Sequence, residues 1–131
     1  MSTIPDDYLD LFEKPTFAHV TTLTPDGTPH TTPVWIDYAA DANRLLVNTE
    51  RERRKERHVA QNPAVSVSMT DSDNPYRFLS VSGEVDEVTE EGARTHADEL
   101  AVRYMDEEEY PNPIQTRRVL LKIQPTKVLT D

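Results

Sequence analysis

Residues 15–40 read "PTFAHVTTLTPDGTPHTTPVWIDYAA", two runs rich in β-branched and aromatic residues on either side of an Asp-Gly turn. Val20, Val34, Trp35 and Ile36 favour a pleated, half-buried surface, and "PDGTP" at 25–29 places Gly27 where a tight reversal needs a positive φ. The stretch therefore predicts a hairpin, with one strand over 15–24 and a returning one over 30–40. Pro33 donates no ladder hydrogen bond, so its strand belongs at a sheet edge or at a bulge.

Strand signals continue outward from this hairpin. "ADANRLLVNTE" (40–50) gives a turn and a third strand, "AVSVSMTD" (64–71) alternates apolar with polar, and "NPYRFLSVSGEVDEV" (74–88) is long enough to bend near Gly83. "TRRVLLKIQPTKVLTD" (116–131) supplies one or two closing strands. Ser66, Ser68, Ser80 and Ser82 alternate with apolar neighbours and mark a polar sheet face.

Helical signals are few. Residues 5–13 begin at Pro5 and carry Tyr8, Leu9, Leu11 and Phe12 on one side. Residues 90–105 form an acidic amphipathic helix with Ala93, Ala97, Leu100, Ala101 and Tyr104 along one stripe. Thr49 with Glu52 matches a capping box, so a helix is expected to start near Glu50 and to end by Asn62, ahead of Pro63. About six strands, tight turns and few helices predict a mostly β chain: one small antiparallel barrel domain over 1–131 with helices at its margins.

Composition bounds the function. The chain has 131 residues, 14 Lys and Arg against 24 Asp and Glu, and a formal charge of -10. Such a field repels phosphate backbones and anionic lipid, so neither nucleic acid nor membrane is an expected partner. The absence of cysteine excludes disulfides, thiol nucleophiles and thiolate metal sites. His19, His30, His58 and His96 lack metal-ligand spacing, and no metal is expected. Three glycines in all leave no dinucleotide or P-loop fingerprint. The first fifteen residues lack a basic start followed by an apolar run, which makes the cytoplasm the expected location.

Against that acidic background, five of the 14 basic residues fall within 51–57 of "TERERRKERHVAQNP": Arg51, Arg53, Arg54, Lys55 and Arg57. Cations at a helix start oppose the helix dipole and one another, unless an anion binds there. The competing reading is a solvated helix in which Glu50, Glu52 and Glu56 balance the arginines.

Three blocks in order, "FAHVTTLTPDGTPHTTPVWIDY", "LLVNTERERRKERHVAQNPAVSVSM" and "DNPYRFLSVSGEV", closely resemble the split β-barrel flavin and deazaflavin oxidoreductases. These form the pyridoxamine-phosphate-oxidase-like superfamily, and the chain is most similar to its coenzyme F420-dependent branch. The resemblance spans about residues 8–128 and implies a homodimer of split barrels of the FMN-binding type, with cofactor sites between the subunits.

Carried over by position, it makes Lys55 the phosphate-binding lysine. Relatives place the partner arginine one or two residues earlier, so Arg53 and Arg54 both qualify. Thr49 falls where the family uses a hydroxyl residue. Thr32, Pro33, Val34 and Trp35 lie along the ring, although a lone Trp and Val on a strand are by themselves ordinary core. Tyr76 stands where relatives put an aromatic reaching the other subunit's site. Two positions depart from the pattern: Arg57-His58-Val59 replaces a common Arg-Asn-Leu, and His30 a common Gln. The implied activity is hydride transfer between F420 and a small organic substrate. The alternatives are an FMN oxidase or reductase of the same fold, or a non-catalytic carrier of the cofactor. No general acid or base is assigned.

Overall fold

A computed structural model describes residues 2–131. Seven strands, β1 (Ala18–Leu23), β2 (Pro29–Val34), β3 (Asp37–Ala39), β4 (Arg44–Glu50), β5 (Ala64–Asp71), β6 (Asn74–Thr89) and β7 (Arg118–Thr130), form one antiparallel sheet in the order β2-β1-β5-β6-β7-β4-β3. Three helices flank it: α1 (Asp10–Glu13), α2 (Arg54–Gln61) and α3 (Ala93–Met105).

The opening hairpin forms as expected. Gly27 takes a φ of 86° at the turn, and β2 pairs only with β1, which places Pro33 on an edge strand opposite His19. The expected single strand over 30–40 is instead cut in two. Trp35 and Ile36 leave the ladder, and β3 pairs with β4 at the far side of the sheet. Two consecutive residues thus join the opposite edges, which rolls the sheet into a barrel split along one seam. The extra segment also accounts for seven strands where six are expected.

Ile36 is fully buried at the seam, away from any neighbouring strand. The Tyr104 hydroxyl of α3 takes the ladder's place there: it accepts the Ile36 N–H at 3.2 Å and donates to the Thr16 carbonyl at 2.6 Å. Losing that oxygen leaves two buried backbone groups without their partner. Tyr104→Phe is therefore expected to lower stability by about 1–3 kcal/mol in denaturant unfolding, while retaining the aromatic packing.

The core is the inner face of the rolled sheet. Val20, Val47, Val67, Met69, Leu79, Val81, Leu121 and Ile123 point into it, and Leu11 and Phe12 join them from α1. The serines at 66 and 82 stand on the outer face, as their alternation implies. The long β6 strand shifts register between Ser82 and Gly83 and again between Val85 and Glu87, so the bend falls at Gly83. A Cβ there would collide with the backbone carbonyl of Gln124 on β7.

Two helical expectations need correction. Residues 5–13 form a 3₁₀ turn (Asp6–Tyr8) followed by the single turn α1, not one continuous helix. No capping box forms at Thr49: the strand β4 runs on through Glu50, and α2 begins at Arg54 after an extended Arg53 that makes no side-chain cap bond. Pairing decides this, because Thr49 and Glu50 are held against Val119 and Arg118 of β7, and the Arg51 N–H donates to the Arg117 carbonyl at 2.8 Å. Glu52 sits at φ 69°, incompatible with a helical turn. The helix does end at Gln61, as Pro63 requires.

Candidate functional site

The end of β4, the start of α2, the seam residues, α3 and β7 meet around a cleft of about 260 Å³. One wall is apolar and aromatic, from Phe17, Val34, Trp35, Leu100 and Tyr110. The lining also carries three cations, Arg53, Lys55 and Arg118. Pro33, Asn48, Thr49, Ala97 and Asn112 complete the lining.

Trp35 is not core. Its indole stacks on Tyr104, with ring centroids 5.1 Å apart and planes 11° from parallel, and meets Tyr110 edge-on at 6.1 Å. The seam holds it in place, since Ile36 fills the interior and turns its neighbour toward α3. Phe17 is 54% exposed beside the cleft and packs edge-on against Tyr104.

The cations differ in their partners. Arg51 is absorbed by Glu56 at 2.8 Å and Glu90 at 3.0 Å, which removes it from any anion site. Arg53 donates to Glu50 at 3.1 Å, yet its side chain stays 63% exposed. Glu50 is itself buried and accepts the N–H groups of Thr116 at 3.2 Å and Gln115 at 2.5 Å. The Thr116 N–H, with those of Gln115 and Arg53 behind it, lowers the pKa of this carboxyl. Glu50 thus anchors both Arg53 and the segment that leads into β7.

Lys55 has no carboxylate within salt-bridge distance among the described residues. Its Nζ donates to Thr32 Oγ1 at 3.3 Å, and burial, then the charge of Arg53, pull its pKa down. Arg118 likewise has no carboxylate within salt-bridge distance among the described residues, although the charge of Glu50, its cross-strand partner, acts on it. Its Nε donates to Asn48 Oδ1 at 2.7 Å, its guanidinium carbon lies 4.7 Å above the Tyr110 ring, and burial lowers its pKa. A half-buried cation with no carboxylate in contact is costly, and an arriving anion reduces that cost. Thr49 is buried at the cleft floor.

The structure therefore brings Pro33, Val34, Trp35, Thr49, Arg53 and Lys55 together, with Thr32 touching Lys55 from just outside the lining. Two candidates lie elsewhere. Arg54 turns to a second cleft, of about 310 Å³, beside Arg57, His30 and His58, where the two imidazoles stand edge-on at 5.8 Å. Tyr76, near the start of β6, is 85% exposed and lines neither cleft. Arg118, Asn48, Phe17 and Asn112 were not singled out by the sequence. Arg118 reaches the site only because β7 pairs with β4, and no local pattern announces that register. Among the described residues no cluster of three or more His, Asp or Glu could hold a metal ion, and no helix is long and apolar enough to cross a membrane.

Comparison with known proteins adds an independent line. A family model described as pyridoxamine 5'-phosphate oxidase matches residues 4–130. A solved structure named F420 reductase is 32% identical, superposes with a TM-score of 0.83, and is matched over 96% of this chain and 98% of its own. A conserved hypothetical protein from Mycobacterium tuberculosis shares the fold at 20% identity and TM-score 0.76, covering 99% of this chain and 85% of its own. So does a putative pyridoxamine 5'-phosphate oxidase from Listeria innocua, at 20% identity and TM-score 0.69, covering 95% of each chain. No curated protein matches the chain.

Proposed function

Because this chain belongs to the pyridoxamine 5'-phosphate oxidase family, we propose that it is an oxidoreductase that binds a flavin-type coenzyme in the cleft, and that the coenzyme is the deazaflavin F420. Residues 1–131 act as one split-barrel domain. The 32% identity to an F420 reductase favours the deazaflavin over FMN.

The single observation that carries the reading is the pairing of Lys55 with Arg118. Two partly desolvated cations, neither in a salt bridge among the described residues, face one cleft that is also lined by aromatic side chains. That combination suits a flat ring attached to an anionic tail. Lys55, Arg53 and Arg118 hold the phosphate, Thr49 assists at the floor, and Thr32 keeps the Lys55 ammonium in place. Pro33, Val34 and Trp35 flank the ring. Bound there, the coenzyme supplies hydride chemistry toward a small organic substrate. The chain's own residues bind and orient, and the Trp35, Tyr104 and Tyr110 cluster keeps water from one wall. Arg54 serves the second cleft, not the phosphate.

The cleft is small for a coenzyme, since ligand sites run from about 300 to 1,000 Å³. A second copy of the chain completes it in this reading. Phe17, Tyr76 and Leu129 are 54%, 85% and 56% exposed, apolar area that suits contact between subunits, and Tyr76 serves the partner's cleft from there. Sedimentation is expected to give a dimer; a monomer that still binds coenzyme would remove Tyr76 from the site.

Titrating the purified protein with F420 and with FMN, followed by fluorescence, tests the assignment. Tighter binding of F420 is expected. Tighter binding of FMN would transfer the reading to a flavin enzyme of the same fold, and binding of neither would refute it.

A further inference from the structure

Behind Arg118 runs a chain of polar groups that ends outside the cleft lining: Arg118, Asn48, His96 and Asp37. Its hydrogen-bond directions are determined by chemistry. The Arg118 Nε–H can only donate, so the oxygen of Asn48 must face it, at 2.7 Å. The Ala93 carbonyl can only accept, so the nitrogen of the same amide must face it, at 2.8 Å. Both ends of the Asn48 side chain are thereby assigned.

The second amide hydrogen of Asn48 then points at His96 Nδ1, 3.1 Å away. That ring nitrogen has to accept, so the proton of the neutral imidazole sits on Nε2 and is donated to Asp37 Oδ2 at 2.9 Å. Asp37 is held in turn by Arg103 at 3.1 Å and by the Tyr38 N–H at 2.9 Å. His96 is 7% exposed, so water does not substitute for either bond.

We infer that His96 is a positioning residue: through Asn48 it aims the Arg118 guanidinium into the cleft. With Nε committed to Asn48, the Nη groups of Arg118 meet no carboxylate within salt-bridge distance among the described residues, and what the Tyr110 hydroxyl leaves of them remains for an anion. Were Nδ1 to become a donor, it would oppose the Asn48 N–H. The amide would have to turn, presenting a donor to Arg118 Nε and abandoning Ala93. Arg118 would then lose its tether. The inference rests on the reading of the cleft as an anion site, since it concerns what Arg118 does there.

Two conservative replacements separate positioning from mere packing. His96→Asn keeps an acceptor at the place of Nδ1 and loses the bond to Asp37. His96→Gln keeps a donor toward Asp37 and loses the acceptor facing Asn48. F420 and FMN are titrated into wild type, both His96 variants and Lys55→Met, with melting temperatures recorded alongside. The expected result is a loss of at least tenfold in affinity for His96→Gln and less than threefold for His96→Asn, at similar melting temperatures. Equal losses in the two, or a larger loss in His96→Asn, overturn the inference. A loss in Lys55→Met with neither His96 variant affected overturns the inference and leaves the anion cleft standing. Unchanged binding by Lys55→Met overturns both. Independently of any variant, imidazole ¹⁵N shifts of the wild-type chain should show His96 with its proton on Nε2; a proton on Nδ1 refutes the relay even where a variant fails to fold.

Discussion

The Lys55→Met/Arg118→Leu double variant is expected to bind the coenzyme about two to four orders of magnitude more weakly, since each charge-assisted contact contributes roughly 1.5–3 kcal/mol. Lys55→Met alone is expected not to lower the melting temperature of the unliganded chain, whereas Arg118→Leu also gives up the bond to Asn48 and the stacking on Tyr110. Burial depresses the pKa of both groups, so their charged forms are disfavoured in the folded state. For Lys55 the sign follows directly: a lowered lysine pKa means that folding works against the proton at neutral pH, and an apolar side chain of similar length removes that opposition. Loss of binding together with unchanged or improved stability is the signature of cations retained for a ligand. If Lys55→Met alone instead melts well below wild type, Lys55 is structural. Arg54→Ala provides the contrast, with an expected change of less than about threefold, because its side chain faces the second cleft.

Gly83→Ala carries the largest expected effect on stability. The added methyl would meet the Gln124 carbonyl, a backbone atom in the middle of β7 that cannot swing aside. Relief requires separating the two longest strands at the point where their register already shifts. Overpacking of a well-packed site costs about 1–3 kcal/mol, occasionally more, and a backbone obstacle belongs at the upper end. A fall of about 10 °C in melting temperature is expected for a chain of this size. A fall of only a degree or two would show that β6 and β7 part easily there.

Much of the fold is legible in the residues themselves. The Asp-Gly turn, the alternation in 64–71, the bend at Gly83 and the apolar stripe of α3 are local signals, and each matches the structure. Local reasoning fails where pairing overrules it. Thr49 and Glu52 satisfy a capping pattern, yet β7 claims Thr49 and Glu50 for a strand, and the helix waits until Arg54. Residues 30–40 look like one strand, but nothing local shows that Trp35 and Ile36 cross from one sheet edge to the other.

The candidate site divides in the same way. Lys55, Arg53 and the Pro33–Trp35 stretch stand out in the sequence, through charge crowding and through likeness to a family. Arg118 does not, because its place depends on a strand pairing across some seventy residues. Arg54 stands out equally with Lys55, and only the helix geometry sends the two side chains to different clefts.

The edge strand β2 carries one further implication. Proline is tolerated in a ladder only where its missing N–H would have faced away from the neighbouring strand. Pro29 and Pro33 therefore mark the outward-facing side of β2, and of its outward positions at 29, 31 and 33 only Thr31 keeps a donor. An incoming strand would find three carbonyls but a single N–H to pair with. A copy or partner docking beside the ring wall gains little from backbone pairing and relies mainly on side chains, which disfavours fibre-like growth along that border.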